Sequence, residues 1–343
     1  MGNLDTENLT RKMIFDEWQN RADTGFRPHL GASIIGRKCE RQLYYTFRWA
    51  KSASFPGRIL RLFETGQLAE QRFTDDLRSI GVDVRDVDEN GGQWRFSACG
   101  GHFGGSSDGI ASSGIPEAPK SPHILEYKTH GEKSFLALQK DGVEKSKPEH
   151  YAQMQMYMGL SGDRWGAKHR IERALYMSVN KNTDDLYCER IKFDKEFYKD
   201  VLEKATCIIF SDKAPPMMPQ ASPQWYECKW CDYYGLCHKK QFPEVNCRTC
   251  AFSSPRQDGR WYCTNQWHEN DIDIVISTDH QKSGCGNHLY LPSLIDTWAT
   301  AIDGTDESII FEEKGTSGKK GFINGFGDGF ASSQRLFEEN DDE

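Results

Sequence analysis

The chain has 343 residues, 37% hydrophobic and 27% charged, a balance that supports a folded core and excludes wholesale disorder. Its formal net charge of −8 counts against a purely electrostatic nucleic-acid binder, and no apolar run approaches the ~20 residues of a membrane span. Eleven cysteines without an apolar signal core at the N-terminus favour metal sites in a reducing cytoplasm over a disulfide framework.

The opening "MGNLDT" fits the M-G-x-x-x-[ST] myristoylation pattern, but a capped amphipathic helix over residues 6–22 accounts for the segment better. "GASIIGRKCERQLYYTFRW" offers Ser33 as an N-cap and then a helical run carrying Cys39. From Arg37 to Arg61 the chain is basic, with Arg37, Lys38, Arg41, Arg48, Lys51, Arg58 and Arg61 against Glu40 alone. That run is either a solvated helix face or a phosphate-contacting patch, the latter if the neighbouring chemistry is nucleolytic. Residues 58–80 read as a helix, with Ile59, Leu62, Phe63, Ala69, Phe73, Leu77 and Ile80 on one face at 100° per residue.

"GVDVRDVDEN" and "QWRFSACGGHFGGSSDGI" suggest short strands joined by Gly-rich turns, and "GIPEAPKSPH" a loop. "HILEYKTH" follows as a strand, "HYAQMQMYMGL" as a helix, and "RALYMSVNKNTDDLYCERIKF" as a hairpin around "NKNTDD". Residues 194–213 read as another helix. "SDKAPPMMPQASPQW" is a Pro-rich linker, after which cysteines dominate. From about residue 304, "GTSGKKGFINGFGDGF" reads as Gly-rich and weakly structured, and the terminal "EENDDE" as a solvated tail.

Four features stand out. Glu70 falls on the apolar face of the 58–80 helix, where a carboxylate must be paired, protonated or metal-bound. Asp108 follows glycines that let backbone approach closely; alone it is a plain turn aspartate. Glu126 and Lys128 point to the same side of their strand, which alone reads as a solvated face. Gln153 and Tyr157 share a helix face, with His150 a turn before, while Met154 and Met158 are most simply core. Three carboxylates around one point can hold Mg²⁺ or Mn²⁺, with the Tyr127 carbonyl as a further oxygen, and a lysine beside them can orient water and offset charge.

In this order the features resemble the PD-(D/E)XK nuclease superfamily, through "GQLAEQRF", "GSSDGI", "ILEYKT" and "HYAQMQMYMGLSG" over roughly residues 30–240. The last segment is similar to the Q-x-x-x-Y motif of RecB-type nucleases and to a segment of lambda-exonuclease-like phage enzymes. The literal Pro is absent, Ser107 preceding Asp108. The resemblance implies an α/β restriction-endonuclease-like core with a mixed central sheet flanked by helices. It implies Mg²⁺ or Mn²⁺ on Glu70, Asp108 and Glu126, a catalytic Lys128, and substrate contacts at Gln153 and Tyr157; the Tyr127 carbonyl is expected as a further metal ligand, and Arg37 and Arg41 of the basic run as further substrate contacts.

"CKWCDYYGLC" places Cys228, Cys231 and Cys237 as C-x2-C-x5-C, and Cys39 is the candidate fourth ligand. The layout resembles iron–sulfur nucleases of the RecB-type and CRISPR-associated groups, which implies a 4Fe–4S cluster stapling the two ends of the nuclease domain. Zinc on the same thiolates is the alternative. Cys247, Cys250, Cys263 and Cys285 suit structural zinc, with His288, or less well His268, able to replace the last. Cys99, Cys188 and Cys207 are left for core packing. Trp225, Tyr226, Trp230, Tyr233, Tyr234, Trp261 and Trp267 either pack these small metal regions or stack on unpaired bases.

The expected organisation is a nuclease domain at 1–214, the rest of the cluster region at 215–243, a zinc-ribbon-like module at 244–303, and a Gly-rich segment and acidic tail at 304–343. The expected activity is DNA phosphodiester hydrolysis, exonucleolytic, in recombination, repair or phage DNA metabolism. The expected partners are DNA ends and a recombination or replication protein, and the expected place is the cytoplasm, that of the host for a phage protein. An endonuclease, a CRISPR-adaptation-like end processor, and a non-catalytic metal-stabilised DNA-binding protein are the rival readings.

Overall fold

The computed structural model describes residues 8–22, 26–265, 274–315, 320–327 and 329–341; the "MGNLDT" pattern, Trp267, His268 and the last two acidic residues lie outside them. In chain order the elements are α1 (Leu9–Arg21), β1 (Leu30–Gly31), α2 (Glu40–Phe47), α3 (Gly57–Ser79), β2 (Asp83–Arg85), β3 (Trp94–Ala98), β4 (Phe103–Ser107), β5 (Gly109–Ser113), β6 (His123–His130), α4 (Glu132–Ser146), α5 (Pro148–Trp165), β7 (Arg173–Asn180) and β8 (Leu186–Lys192). They continue with α6 (Lys195–Phe210), α7 (Tyr226–Lys229), α8 (Tyr234–His238), β9 (Ser253–Pro255), β10 (Trp261–Cys263), β11 (Ile274–Ile276), α9 (Thr278–Ser283), β12 (Ala299–Gly304), β13 (Ser308–Glu313), β14 (Gly321–Gly325) and α10 (Ser333–Asp341). Among the described residues no helix is long and apolar enough to cross a membrane.

The chain divides into two units, one of Met1–Gly25, Ala53–Phe96 and Gly105–Lys199, the other of Phe26–Ser52, Ser97–Gly104 and Asp200–Glu343. The first unit is a five-stranded mixed sheet in the order β2-β5-β6-β7-β8. Neighbours are antiparallel except β6 and β7, whose parallel pairing requires the crossover that α4 and α5 supply. Leu125, Tyr127, Leu175 and Met177 face one side and form a core with Phe73 and Leu77 of α3, Val82, Val84, Ala111 and Ile115. Alternation sends Glu126, Lys128 and Tyr176 to the other side, where α5 lies.

Only the C-terminal half of α3 joins that core. Phe73 and Leu77 are buried, but Leu62, Phe63 and Ile80, expected on the same apolar face, are exposed. The N-terminal half packs against α1 instead, Gly57 lying so close to the Phe15 backbone that a Cβ would collide with it. Phe63 meets Phe55 edge to face at 5.1 Å.

In the second unit β1 pairs in parallel with the start of β4 at Leu30↔Phe103 and Gly31↔Gly104. The helix expected to begin at Ser33 begins later: residues 34–37 make i→i−3 turns, and α2 is capped at Cys39 without a side-chain hydrogen bond. The β9, β10 and β11 strands form one antiparallel sheet, and β12, β13 and β14 another. The latter corrects the expectation of weak structure after residue 304. It packs on Ile295, Trp298, Ala299 and Phe311, with Phe242, Ile309 and Phe322 against them. Its glycines serve close approach rather than looseness, because Gly321 leaves no room for a Cβ beside the Phe311 carbonyl.

Candidate active site and cysteine groups

The carboxylate site is built at one end of the mixed sheet. Asp108 sits in the single-residue break between β4 and β5, and its Oδ2 accepts the backbone N–H of Tyr127 at 2.6 Å. That bond ties the break, where the chain passes from one sheet to the next, onto β6 beside Glu126. Glu70 stands on α3 where the helix passes from its exposed half to its buried half, and is itself half-buried. Tyr127 turns its ring away from the site and stacks on Phe73 at 5.0 Å, so only its backbone faces the carboxylates.

The electrostatics tie these groups together. Burial pushes Glu126 up to about 7, Lys128 opposing and Asp108 and Glu70 adding to the rise. Burial and then Asp108 push Glu70 up to about 7 as well, with Lys128 opposing. Asp108 is raised by burial against Lys128 and the Tyr127 N–H. Burial works against the Lys128 ammonium, but Glu126, Asp108 and Glu70 together hold it charged. Three carboxylates thus share one ammonium.

The ammonium is placed tellingly. Lys128 Nζ donates to Glu126 Oε1 and to the Tyr127 carbonyl at 3.0 Å. These are two of the oxygens expected from the sequence to hold a divalent cation. Glu126 is 0% exposed, and among the described residues its Oε2 has no hydrogen-bond partner. A fully buried carboxylate oxygen without a donor is costly unless a cation serves it. The donor set therefore fits a hard, oxygen-seeking ion, although no group of three or more His, Cys, Asp or Glu among the described residues stands in metal-holding geometry as it is.

On α5, Gln153 Nε2 donates to the Tyr157 hydroxyl at 3.2 Å, and Gln153 Oε1 has no partner among the described residues. Tyr157 is 1% exposed and lies against Phe96 and Gly105, so it bears on the site through Gln153 rather than by facing solvent. Met154 and Met158 are fully buried.

The two arginines expected to contact substrate lie in the second unit. Arg41 is 4% exposed and engaged by Asp296 through two hydrogen bonds, by Tyr45 and by the Pro215 carbonyl. Its guanidinium is thereby occupied, which is a poor state for gripping a phosphate. Arg37 is half-buried in the turn before α2. Sequence reasoning missed His130 and Tyr176 on the Glu126 face, and Ser134 of α4, which meets His130. The period-2 placement of His130 after Lys128 was the one available signal.

Both cysteine groups gather in the second unit. Burial raises Cys228, Cys231 and Cys237, and Cys39 adds to each rise, so Cys39 lies within electrostatic reach of the other three although distant in sequence. Cys247, Cys250, Cys263 and Cys285 line one cavity of about 390 Å³ together with His280, His288 and Ile276. Burial pushes Cys247 and Cys250 up to about 12, each sulfur raising the next. Only Cys247 and Cys250 are buried; Cys39, Cys228, Cys231, Cys237 and Cys263 are half-buried and Cys285 is exposed.

His288 is committed elsewhere: its Nε2 meets Thr249 Oγ1 at 3.1 Å and its Nδ1 meets Ser333 Oγ at 2.8 Å. Cys188 and Cys207 are exposed, which corrects their expected place in the core, and Cys99 is half-buried against Thr206. The aromatic residues divide. Tyr233 and Trp261 are buried, whereas Trp230 is 87% exposed and Tyr226 is exposed beside it in sequence.

No family model and no curated protein matches the chain. Among solved structures it is similar to the crystal structure of a protein designated SSO0001, at 15% identity and a TM-score of 0.39, over 68% of this chain and 97% of that one. It is also similar to LHK-Exo, an alkaline exonuclease from Laribacter hongkongensis, at 18% identity and a TM-score of 0.38, over 56% of this chain and 90% of that one. The same exonuclease in complex with dAMP gives 16% identity and a TM-score of 0.36, over 57% and 90%. At such scores the likeness decides nothing about the chemistry, which the side chains must carry.

Proposed function

We propose that the chain is a metal-dependent DNA nuclease that hydrolyses phosphodiester bonds, acting from DNA ends. The observation that supports this most is the position of Lys128: its ammonium rests on Glu126 and the Tyr127 carbonyl, inside a set of three carboxylates that one monovalent charge cannot neutralise. Mg²⁺ or Mn²⁺ on Glu70, Asp108, Glu126 and the Tyr127 carbonyl would polarise a phosphodiester and lower the pKa of bound water. Lys128 would then give up its bond to Glu126 and stay beside it, holding the attacking water and offsetting charge on the phosphate. Gln153, steadied by Tyr157, would align the substrate backbone.

The two thiol groups belong to the same proposal. Cys39, Cys228, Cys231 and Cys237 would hold a 4Fe–4S cluster, with zinc as the alternative, and Cys247, Cys250, Cys263 and Cys285 a structural zinc ion. Visible absorbance and iron content of anaerobically purified protein decide the first group, since a colourless protein with two zinc ions removes the cluster.

The deciding experiment is digestion of end-labelled linear and of circular DNA with Mn²⁺, wild type beside Lys128→Ala. Shortening of linear DNA alone, lost in the variant, is expected. Cleavage of the circle would turn the reading to an endonuclease, and cleavage surviving in Lys128→Ala would sink the site.

A further inference from the structure

Three polar side chains that the proposed chemistry does not use meet beside the carboxylates. Tyr176 lies on β7 opposite Glu126 in the parallel register, and is fully buried. Its hydroxyl is 2.8 Å from His130 Nε2 and 3.0 Å from His150 Nδ1. The two imidazoles stack with ring centres 5.8 Å apart. His130 Nδ1 in turn meets Ser134 Oγ at 3.3 Å.

The elements so joined are the ones that carry the proposed site. His130 follows Lys128 by two residues on β6 and points to the same face. His150 precedes Gln153 by three residues and Tyr157 by seven, so the three share one stripe of α5. Tyr176 therefore fastens the α5 stripe to the Glu126–Lys128–His130 face.

Proton counting makes this a directed contact rather than a loose one. A tyrosine has one hydroxyl proton, so it donates to one ring and accepts an N–H from the other. The first choice fixes the tautomer of His130 and, through it, the role of Ser134 Oγ. Both rings are held neutral, as such a chain needs. Burial, then Lys147, Lys128 and Lys181, push His130 down to about 4. Burial, then Lys128, His130 and Lys147, push His150 down to about 3.

We propose that Tyr176, His130 and His150 are positioning residues of the nuclease centre: a one-directional hydrogen-bond chain that sets the distance between Lys128 on β6 and Gln153 on α5. This rests on the nuclease reading of that site. None of the three touches the reacting atoms. Their effect is on alignment, where a shift of about 1 Å costs on the order of 10²-fold in rate.

The test compares Tyr176→Phe, His150→Asn and His150→Phe with wild type in Mn²⁺-dependent cleavage, each checked for folding by thermal melting. Tyr176→Phe keeps the ring and removes the hydroxyl alone; kcat should fall about 10- to 100-fold while KM for DNA stays within about twofold. His150→Asn, whose amide can take the place of Nδ1, should recover most of the rate that His150→Phe loses. Nitrogen NMR of the imidazoles should show one fixed tautomer for His130 in wild type and exchange between two in Tyr176→Phe. Wild-type kcat in Tyr176→Phe, with Lys128→Ala inactive, overturns the chain alone. Cleavage that survives in Lys128→Ala overturns the site and the chain with it.

Discussion

Asp108 Oδ2 accepts the backbone N–H of Tyr127 at 2.6 Å, so one acidic side chain both ties the break between β4 and β5 onto β6 and supplies charge to the carboxylate set. The two roles separate by substitution. Asp108→Asn retains an oxygen for the Tyr127 N–H and removes a buried charge. Thermal stability should hold or rise, while Mn²⁺-dependent cleavage falls by about 10²-fold or more. Asp108→Ala leaves a buried N–H unpaired and should lower stability by about 1–3 kcal/mol as well. Equal melting temperatures for the Asn and Ala variants would remove the structural role.

Glu70 and Glu126 are each pushed up to about 7, by burial first. In the unfolded chain both titrate near ~4.3, so between those values the folded state holds the extra protons and their contribution to stability falls as pH rises. His130, at about 4, and His150, at about 3, act in the opposite sense. Held neutral by burial, they cost stability as pH falls below ~6.5, the unfolded value. The two slopes oppose each other in mild acid, so a melt against pH alone is blunt. A divalent ion distinguishes them, because it needs the carboxylates deprotonated. Added Mn²⁺ should raise the melting temperature clearly at about pH 8 and hardly at about pH 5, and the rise should vanish in Glu126→Gln.

The parts of the site that sequence made legible are those set by local rules. Glu126, Tyr127 and Lys128 follow from the two-residue period of one strand, and Asp108 from the glycines that precede it. The α5 stripe follows from helical spacing. What stayed hidden is set between segments. Tyr176 and His130 are 46 positions apart and meet only because β6 and β7 pair in parallel in one register. Arg41 looked like part of a basic patch because its partner, Asp296, is 255 positions away. The helix α4 was not read at all, and it carries a non-helical Gly142 that interrupts its pattern. The C-terminal sheet was missed because glycines that admit a neighbouring backbone look, in a string of letters, like glycines that loosen a chain.

Gly105 supplies a test of how Gln153 is held. A Cβ added there would lie 2.5 Å from the Tyr157 hydroxyl and 3.3 Å from the ring carbons. Gly105→Ala should therefore displace Tyr157 and with it Gln153, costing about 1–3 kcal/mol of stability by overpacking and a measurable loss of cleavage. Combining it with Tyr157→Phe removes the colliding oxygen, leaving ring contacts that can relax. The double variant should melt closer to wild type than Gly105→Ala does, while cleavage stays low because Gln153 has lost its partner. Additive destabilisation in a double-mutant cycle would show that the two residues do not press on one another.

For the zinc site proposed on the second thiol group, the choice of fourth ligand turns on what His288 already does. Its two ring nitrogens are engaged by Thr249 and Ser333, and Ser333 Oγ also takes Asn324 Nδ2 at 2.8 Å and donates to the His288 carbonyl. Burial holds the ring neutral, far down at about 3. Cys285 and His288 both line the cavity of the other three thiols, but Cys285 is exposed, makes no such side-chain hydrogen bonds among the described residues, and adds to the rise of Cys247 and Cys250. His288→Ala should therefore cost about 1–3 kcal/mol of stability through unpaired buried groups and leave bound zinc unchanged. Cys285→Ser should release zinc, since a hydroxyl is not a thiolate, and lower the melting temperature toward that of chelator-treated protein. Zinc counted by mass spectrometry in the two purified variants checks both, and zinc lost from His288→Ala but kept in Cys285→Ser would reverse the assignment.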